Sequence, residues 1–194
     1  MEKHLSLILG GARSGKSDFA QQLARQRGGA AVLFVATAEA GDDEMCARIA
    51  SHRAARPAAW RTLEAPRDLA QGLELEARAR VIVVDCVTLW VSNVLMAEGA
   101  NAAQVVSREI EALLAWYLTH GAGMILVSNE VGMGLVPDNQ LGRAYRDLLG
   151  AANKRLAEHA DEVFLLVAGL PIEIKGRAMG QESLWGSETG FPKR

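Results

Sequence analysis

Residues Gly10–Ser17 read Gly-Gly-Ala-Arg-Ser-Gly-Lys-Ser, the Gly-x-x-x-x-Gly-Lys-Ser spacing of a phosphate-binding loop. The chemistry of such a loop is electrostatic. Backbone N–H groups of a glycine-rich turn converge on phosphate oxygens at the N-terminus of the following helix. Gly10 and Gly15 permit the tight turn, with Gly11, Ala12, Arg13 and Ser14 between them. Lys16 then reaches the β- and γ-phosphates and the Ser17 hydroxyl binds Mg²⁺. The flanks suit this reading, with apolar Leu5–Leu9 before the loop and a helix-like Asp18–Arg27 after it. A nucleotide-phosphate ligand follows from these residues; a reaction does not.

Three further segments could add chemistry. Val81–Asp85 is an apolar run ending in a carboxylate, the place where a phosphate-loop protein carries the acid that organises Mg²⁺. Met124–Ser128 ends in Asn129 and Glu130 and leads into Val-Gly-Met-Gly-Leu-Val-Pro, with Gly132 and Gly134 able to bend around a ligand. By spacing alone it also reads as an ordinary surface loop. The third segment, Asp42–Pro57, opens with acids suited to a helix N-terminus and carries His52 on the face of Met45 and Ile49. Arg48, Arg53 and Arg56 surround that histidine with cations, which bind phosphate and favour the neutral, nucleophilic imidazole. Local sequence alone favours a solvated histidine near a helix end. His4, His120 and His159 are weaker candidates, and no His or Cys pair has zinc-ligand spacing.

These residues need a scaffold that brings them to one edge. Short β-rich runs alternate with longer helical patterns, which predicts an α/β fold with a mostly parallel sheet. Strands are expected at Leu5–Leu9, Ala31–Thr37, Trp60–Glu64, Val81–Asp85, Met124–Ser128 and Glu162–Ala168, with an edge strand at Leu170–Lys175. Helices are expected at Lys16–Arg27, Asp42–Ala54, Arg67–Ala77, Thr88–Ala97, Ala102–His120 and Asp138–His159. The last puts Leu141, Tyr145, Leu148, Leu149, Ala152 and Leu156 on one face, with Asp138 as its N-cap.

At 194 residues the chain is read as one catalytic domain, 1–175, followed by a tail, 176–194, that loses periodicity yet holds Trp185 and Phe191. A net charge of −2 and 5% aromatic residues give neither the basic field nor the stacking surface of a nucleic-acid binder. Apolar runs such as Val81–Val84 are too short to span a membrane. With no secretory leader read before Leu5 and only Cys46 and Cys86, a cytoplasmic protein with reduced thiols is expected.

Taken together, Gly10–Ser17, the Asp42–Pro57 segment, Asp85–Leu95 and Ser128–Asn139 resemble one family. It is the bifunctional adenosylcobinamide kinase / adenosylcobinamide-phosphate guanylyltransferase family (CobU/CobP) of cobalamin biosynthesis. The likeness runs from Leu7 to Lys175 and includes Arg143–Lys175. It implies a RecA-like P-loop fold assembled as a homotrimer. It also implies two reactions at one nucleotide site, phosphorylation of adenosylcobinamide by ATP or GTP, then transfer of GMP from GTP to the resulting phosphate. The second passes through a GMP–histidine intermediate in the family, and position in the His-Arg-x-x-Arg-Pro segment implies His52. The family's nucleotide contacts map onto Gly10–Ser17, onto Ala36, Thr37 and Ala38, and onto Arg53, Ala54, Ala55 and Arg56. They also map onto Glu64 and Asp85, with Ser17 and Asp85 toward Mg²⁺. Asp85 and Glu130 are candidates to assist the substrate hydroxyl. Two narrower readings stay open, a small-molecule kinase without nucleotidyl transfer and a non-catalytic nucleotide switch.

Overall fold

Period-2 alternation in the apolar strands decides the layering. In a computed structural model, which describes residues 3–39, 41, 43–54, 56–74 and 79–176, the strands form one seven-stranded sheet. The side chains of Glu44, Met45, Arg48, Ser51 and His52 are not among those described. The strands are β1 (Leu5–Gly10), β2 (Val32–Ala36), β3 (Arg61–Glu64), β4 (Val81–Asp85), β5 (Gly123–Val127), β6 (Glu162–Val167) and β7 (Leu170–Lys175). Their order is β3-β2-β4-β5-β1-β6-β7, and every pairing is parallel except β6 with β7.

Leu5, Leu7, Ile82, Val84, Met124 and Leu126 face one side of this sheet. There they meet α3 (Leu69–Glu74), α4 (Val87–Glu98), α5 (Ala102–Thr119) and α6 (Gln140–His159). Ile8, Val81, Val83, Ile125 and Val127 face the other side and pack on Ala20 and Ala24 of α1 (Lys16–Gly28). Both faces are thus covered, which is why the central strands carry near-continuous apolar runs. The remaining helix, α2 (Asp43–Ala54), follows β2.

Element boundaries fall within a few residues of the expected ones, with three instructive differences. The N-cap of α6 is Asn139, not Asp138; its side-chain oxygen accepts the Gly142 N–H at 2.7 Å. Pro137 fixes the approach, so the residue reached in extended geometry is the next but one, and that residue caps. Leu141, in the first turn of α6, is 54% exposed, while Leu149, Ala152 and Leu156 are buried as expected. The helix expected over Arg67–Ala77 is observed as Leu69–Glu74, with 75–78 outside the described residues. The tail beyond Gly176 and residues Asp42 and Ala55 also lie outside them.

At the amino end of the sheet, the Arg27 guanidinium and the Ser6 hydroxyl both meet the Glu162 carboxylate at 2.5 Å. Burial pushes the Glu162 carboxyl up, but hydrogen bonds from Arg27 and Ser6 outweigh it and hold the group below the usual carboxylate range. A carboxyl depressed in the folded chain adds stability above its unfolded value of about 4.3 and loses it as pH falls through the folded value. Glu162→Gln is therefore expected to lower unfolding free energy near pH 7 by about 1–3 kcal/mol. In denaturant titrations the gap to the parent protein closes below about pH 4.

Candidate functional site

All five strands from β3 to β1 run parallel, so their carboxyl ends share one edge, and that edge carries the phosphate loop, Ala36, Glu64 and Asp85. β1 ends at Gly10 (φ 153°), the loop passes through Arg13 (φ 57°) and Gly15 (φ 90°), and α1 starts at Lys16. Gly15 is required twice over, by its left-handed φ and because a Cβ there would lie 3.2 Å from the Gly169 Cα. The Lys16 ammonium is buried and donates to the Gly11 carbonyl at 2.6 Å and the Ser14 hydroxyl at 3.5 Å. Gly11, Ala12 and Arg13 are exposed, Ser14 is buried and Ser17 is half-buried at the helix start.

A two-residue turn between β6 and β7 holds this loop from outside. Ala168 (φ 51°) and Gly169 (φ 83°) both sit in left-handed geometry, as a tight hairpin needs. The Gly169 N–H donates to the Ser14 carbonyl at 3.0 Å. No sequence feature marked this contact, since residues more than 150 positions apart meet only through the β1–β6 pairing.

Next to the loop, β4 delivers Asp85, level with Ala36 of β2 and Val127 of β5. The Asp85–Cys86 peptide is cis. Thr37 is fully buried and its hydroxyl is committed to Cys86, donating to the carbonyl and accepting from the N–H, each at 2.7 Å. Asn93 of α4 donates to the carbonyls of Thr37 (2.8 Å) and Pro66 (3.1 Å). The segment Ala36–Ala38 is thereby fixed beside the β4 end. Burial, and next the Asp85 charge, push the Cys86 thiol up to about 11, so it is neutral at physiological pH and no nucleophile.

The end of α2 is tied to the same edge. Arg53 meets Glu64, at the carboxyl end of β3, at 3.2 Å, with both groups well exposed. The Arg56 guanidinium lies over the Phe34 ring, 3.5 Å from its centroid. Burial lowers that guanidinium from its ordinary value, while the neighbouring Asp85 charge opposes the shift. His52 is carried in the last turn of α2, next in sequence to Arg53, with Ala54 closing the helix; its side chain and residue Ala55 are outside the described set.

The strand-end segment after β5 is braced by residues that sequence reading passed over. The Asn129 N–H donates to the Thr88 hydroxyl at 2.7 Å, and Asn153 of α6 donates to the Asn129 carbonyl at 3.0 Å. Ser128 donates to the Asn153 side-chain oxygen at 2.6 Å, and Tyr145 donates to the Thr88 carbonyl at 3.2 Å. A polar residue on an otherwise apolar helix face, such as Asn153, was the available signal. The Glu130 carboxylate accepts the Gly132 N–H at 2.5 Å and shapes the following turn. Among the described residues no cluster of three or more His, Cys, Asp or Glu side chains could hold a metal ion. Ser17 and Asp85 offer hard oxygen donors, the set that suits Mg²⁺ shared with substrate phosphates.

Residues 6–174 match the family described as cobinamide kinase / cobinamide phosphate guanyltransferase, CobU. The bifunctional adenosylcobalamin biosynthesis protein CobP of Pseudomonas aeruginosa is 49% identical over 174 residues, covering 89% of this chain and 98% of the relative. CobU proteins of the same description from Salmonella typhimurium and Escherichia coli are 42% and 39% identical over 180 residues, each covering 87% of this chain and 98% of the relative. Among solved structures, one described as an ATPase domain aligns with a TM-score of 0.55 at 15% identity, covering 90% of this chain and 78% of that one. Flagellar accessory protein FlaH of Methanocaldococcus jannaschii gives 0.53 at 16%, covering 90% and 80%. These likenesses carry the fold alone, and it is the RecA-like P-loop sheet that the family resemblance implied. The chain belongs to the cobinamide kinase / cobinamide phosphate guanyltransferase family.

Proposed function

We propose that this protein is a bifunctional enzyme of cobalamin biosynthesis. It phosphorylates the aminopropanol hydroxyl of adenosylcobinamide with ATP or GTP, then transfers GMP from GTP to that phosphate, releasing pyrophosphate. The observation that carries the reading is the complete phosphate loop on an edge shared with Asp85, Glu64 and the end of α2. Family membership over almost the whole chain supplies the substrate class.

In the kinase step the work is positioning and charge neutralisation, with no covalent residue. The amides of Gly10–Ser17 and the buried Lys16 hold the β- and γ-phosphates, while the rigid bracing by Gly169 keeps the loop from reorganising during transfer. In the second step the His52 imidazole attacks the α-phosphorus of GTP and pyrophosphate leaves; the cobinamide phosphate then displaces GMP from His52. Lys16, Arg53 and Arg56 neutralise the charge that develops on the departing pyrophosphate. Mg²⁺, held by Ser17 and Asp85, would polarise the phosphate oxygens.

The catalytic unit is residues 1–175 and works as a homotrimer in the cytoplasm. Exposed Met133 (80%) and Leu135 (96%) beside the site, and Leu170 (70%) on the outer strand, give the apolar surface that association would cover. No helix among the described residues is long and apolar enough to cross a membrane.

Three outcomes test the reading. With GTP labelled at the α-phosphate and Mg²⁺, the protein is expected to acquire label through a bond stable in alkali and broken in acid, as a phosphoramidate is. His52→Ala removes label and guanylyl transfer while phosphorylation of adenosylcobinamide continues; a fully labelled His52→Ala protein sinks the histidine assignment. Lys16→Ala is expected to slow both reactions by about 10²-fold or more. A protein that phosphorylates but never labels is a kinase alone.

A further inference from the structure

One side chain at the carboxyl end of β5 has a fixed backbone and no partner of its own. Asn129 is held through its N–H by Thr88 and through its carbonyl by Asn153, yet its half-buried side-chain amide makes no hydrogen bond among the described residues. Register decides which way it faces. Ile8 of β1 pairs with Val127, and the ladder continues past the strand end: Ser128 N–H donates to the Ile8 carbonyl at 2.9 Å and Glu130 N–H to the Gly10 carbonyl at 3.0 Å. Asn129 therefore stands level with Gly10, the first residue of the phosphate loop. Extended residues alternate between faces. Ile125 and Val127 lie on the α1 side, while Ser128 turns to Asn153 of α6 on the other. Asn129 thus falls on the α1 side with Asp85, which follows Val81 and Val83 in the same alternation.

We propose that Asn129 reads the γ-phosphate of the bound nucleoside triphosphate and positions it for transfer to the substrate hydroxyl. The inference rests on the nucleotide-site reading above and deepens it. A neutral carboxamide carries two N–H donors and suits equatorial phosphate oxygens over which charge spreads during phosphoryl transfer. The flanking residues are unsuited, Ser128 being buried against Asn153 and Glu130 being acidic and tied to Gly132. The two reactions then depend on Asn129 unequally. Kinase chemistry moves the γ-phosphoryl group itself, with charge spread over its three equatorial oxygens. Attack at the α-phosphorus loads it onto the α-phosphoryl and the bridge to pyrophosphate.

The test uses the full chain with Asn129→Ala and, in case the alanine protein folds poorly, the isosteric Asn129→Asp, which removes the N–H donors. Titration of GTP against GDP with Mg²⁺ is expected to show the preference for GTP narrowed about tenfold, and kcat for phosphorylation of adenosylcobinamide lowered about 10²-fold. At saturating GTP, labelling from α-labelled GTP changes by less than about threefold. Parallel loss of both reactions, or an unchanged preference for GTP over GDP, overturns the proposal. The titration needs no cobinamide, so it decides Asn129 even if the parent protein neither phosphorylates nor labels, the result that would instead defeat the functional reading.

Discussion

A Cβ on residue 10 would lie 2.7 Å from the Leu166 carbonyl and 2.7 Å from the Ser14 hydroxyl. Only a glycine lets β1 stay paired with β6 up to its last residue and then turn sharply into the loop. The second close approach, Gly15 against Gly169, follows from the first. Once β6 lies against β1, its hairpin turn must pass beside the loop it has helped to form. The phosphate site is thus not a flexible strand-to-helix connection. Its shape is set by a neighbouring strand and a tight turn whose Ala168 accepts left-handed geometry, at a cost of about 1–2 kcal/mol for a residue bearing a Cβ. Strain of this kind persists where the surroundings over-determine it.

The opposite wall is built by a different force. Glu64, Arg53, Arg56 and Asp85 are charged groups at strand and helix ends, and their mutual placement is electrostatic. The exposed Arg53–Glu64 pair contributes at most about 1 kcal/mol to stability, so it locates the end of α2 more than it strengthens the fold. The stack of Arg56 on Phe34 adds an apolar anchor beneath a cation.

Between these walls, polar side chains hold the strand ends in place. Thr37 holds Cys86, Asn93 holds Thr37 and Pro66, and Asn153 holds Ser128 and Asn129. Low dielectric makes each such bond costly to lose, so the strand ends at this edge are fixed in register with one another. The backbone of Asn129 belongs to this committed set, and its side chain does not.

Apolar runs, the spacing Gly-x-x-x-x-Gly-Lys-Ser and the alternation of strand and helix patterns were enough, from sequence alone, to determine the α/β class, the loop and Asp85 as a strand-end acid. Those signals are local, because hydrophobic period and turn chemistry act over a few residues. Sequence could name Asp138 as a cap but not prefer Asn139, because that outcome turns on the path of a loop. Only tertiary structure decided that Gly169 would support Ser14, that Asn153 would hold Asn129, and that Thr37 would be spent on Cys86. Each of these contacts joins residues distant in the chain, made neighbours by the order of strands in a parallel sheet. Strand order is set by how whole faces bury against helices, and no short stretch of sequence encodes it.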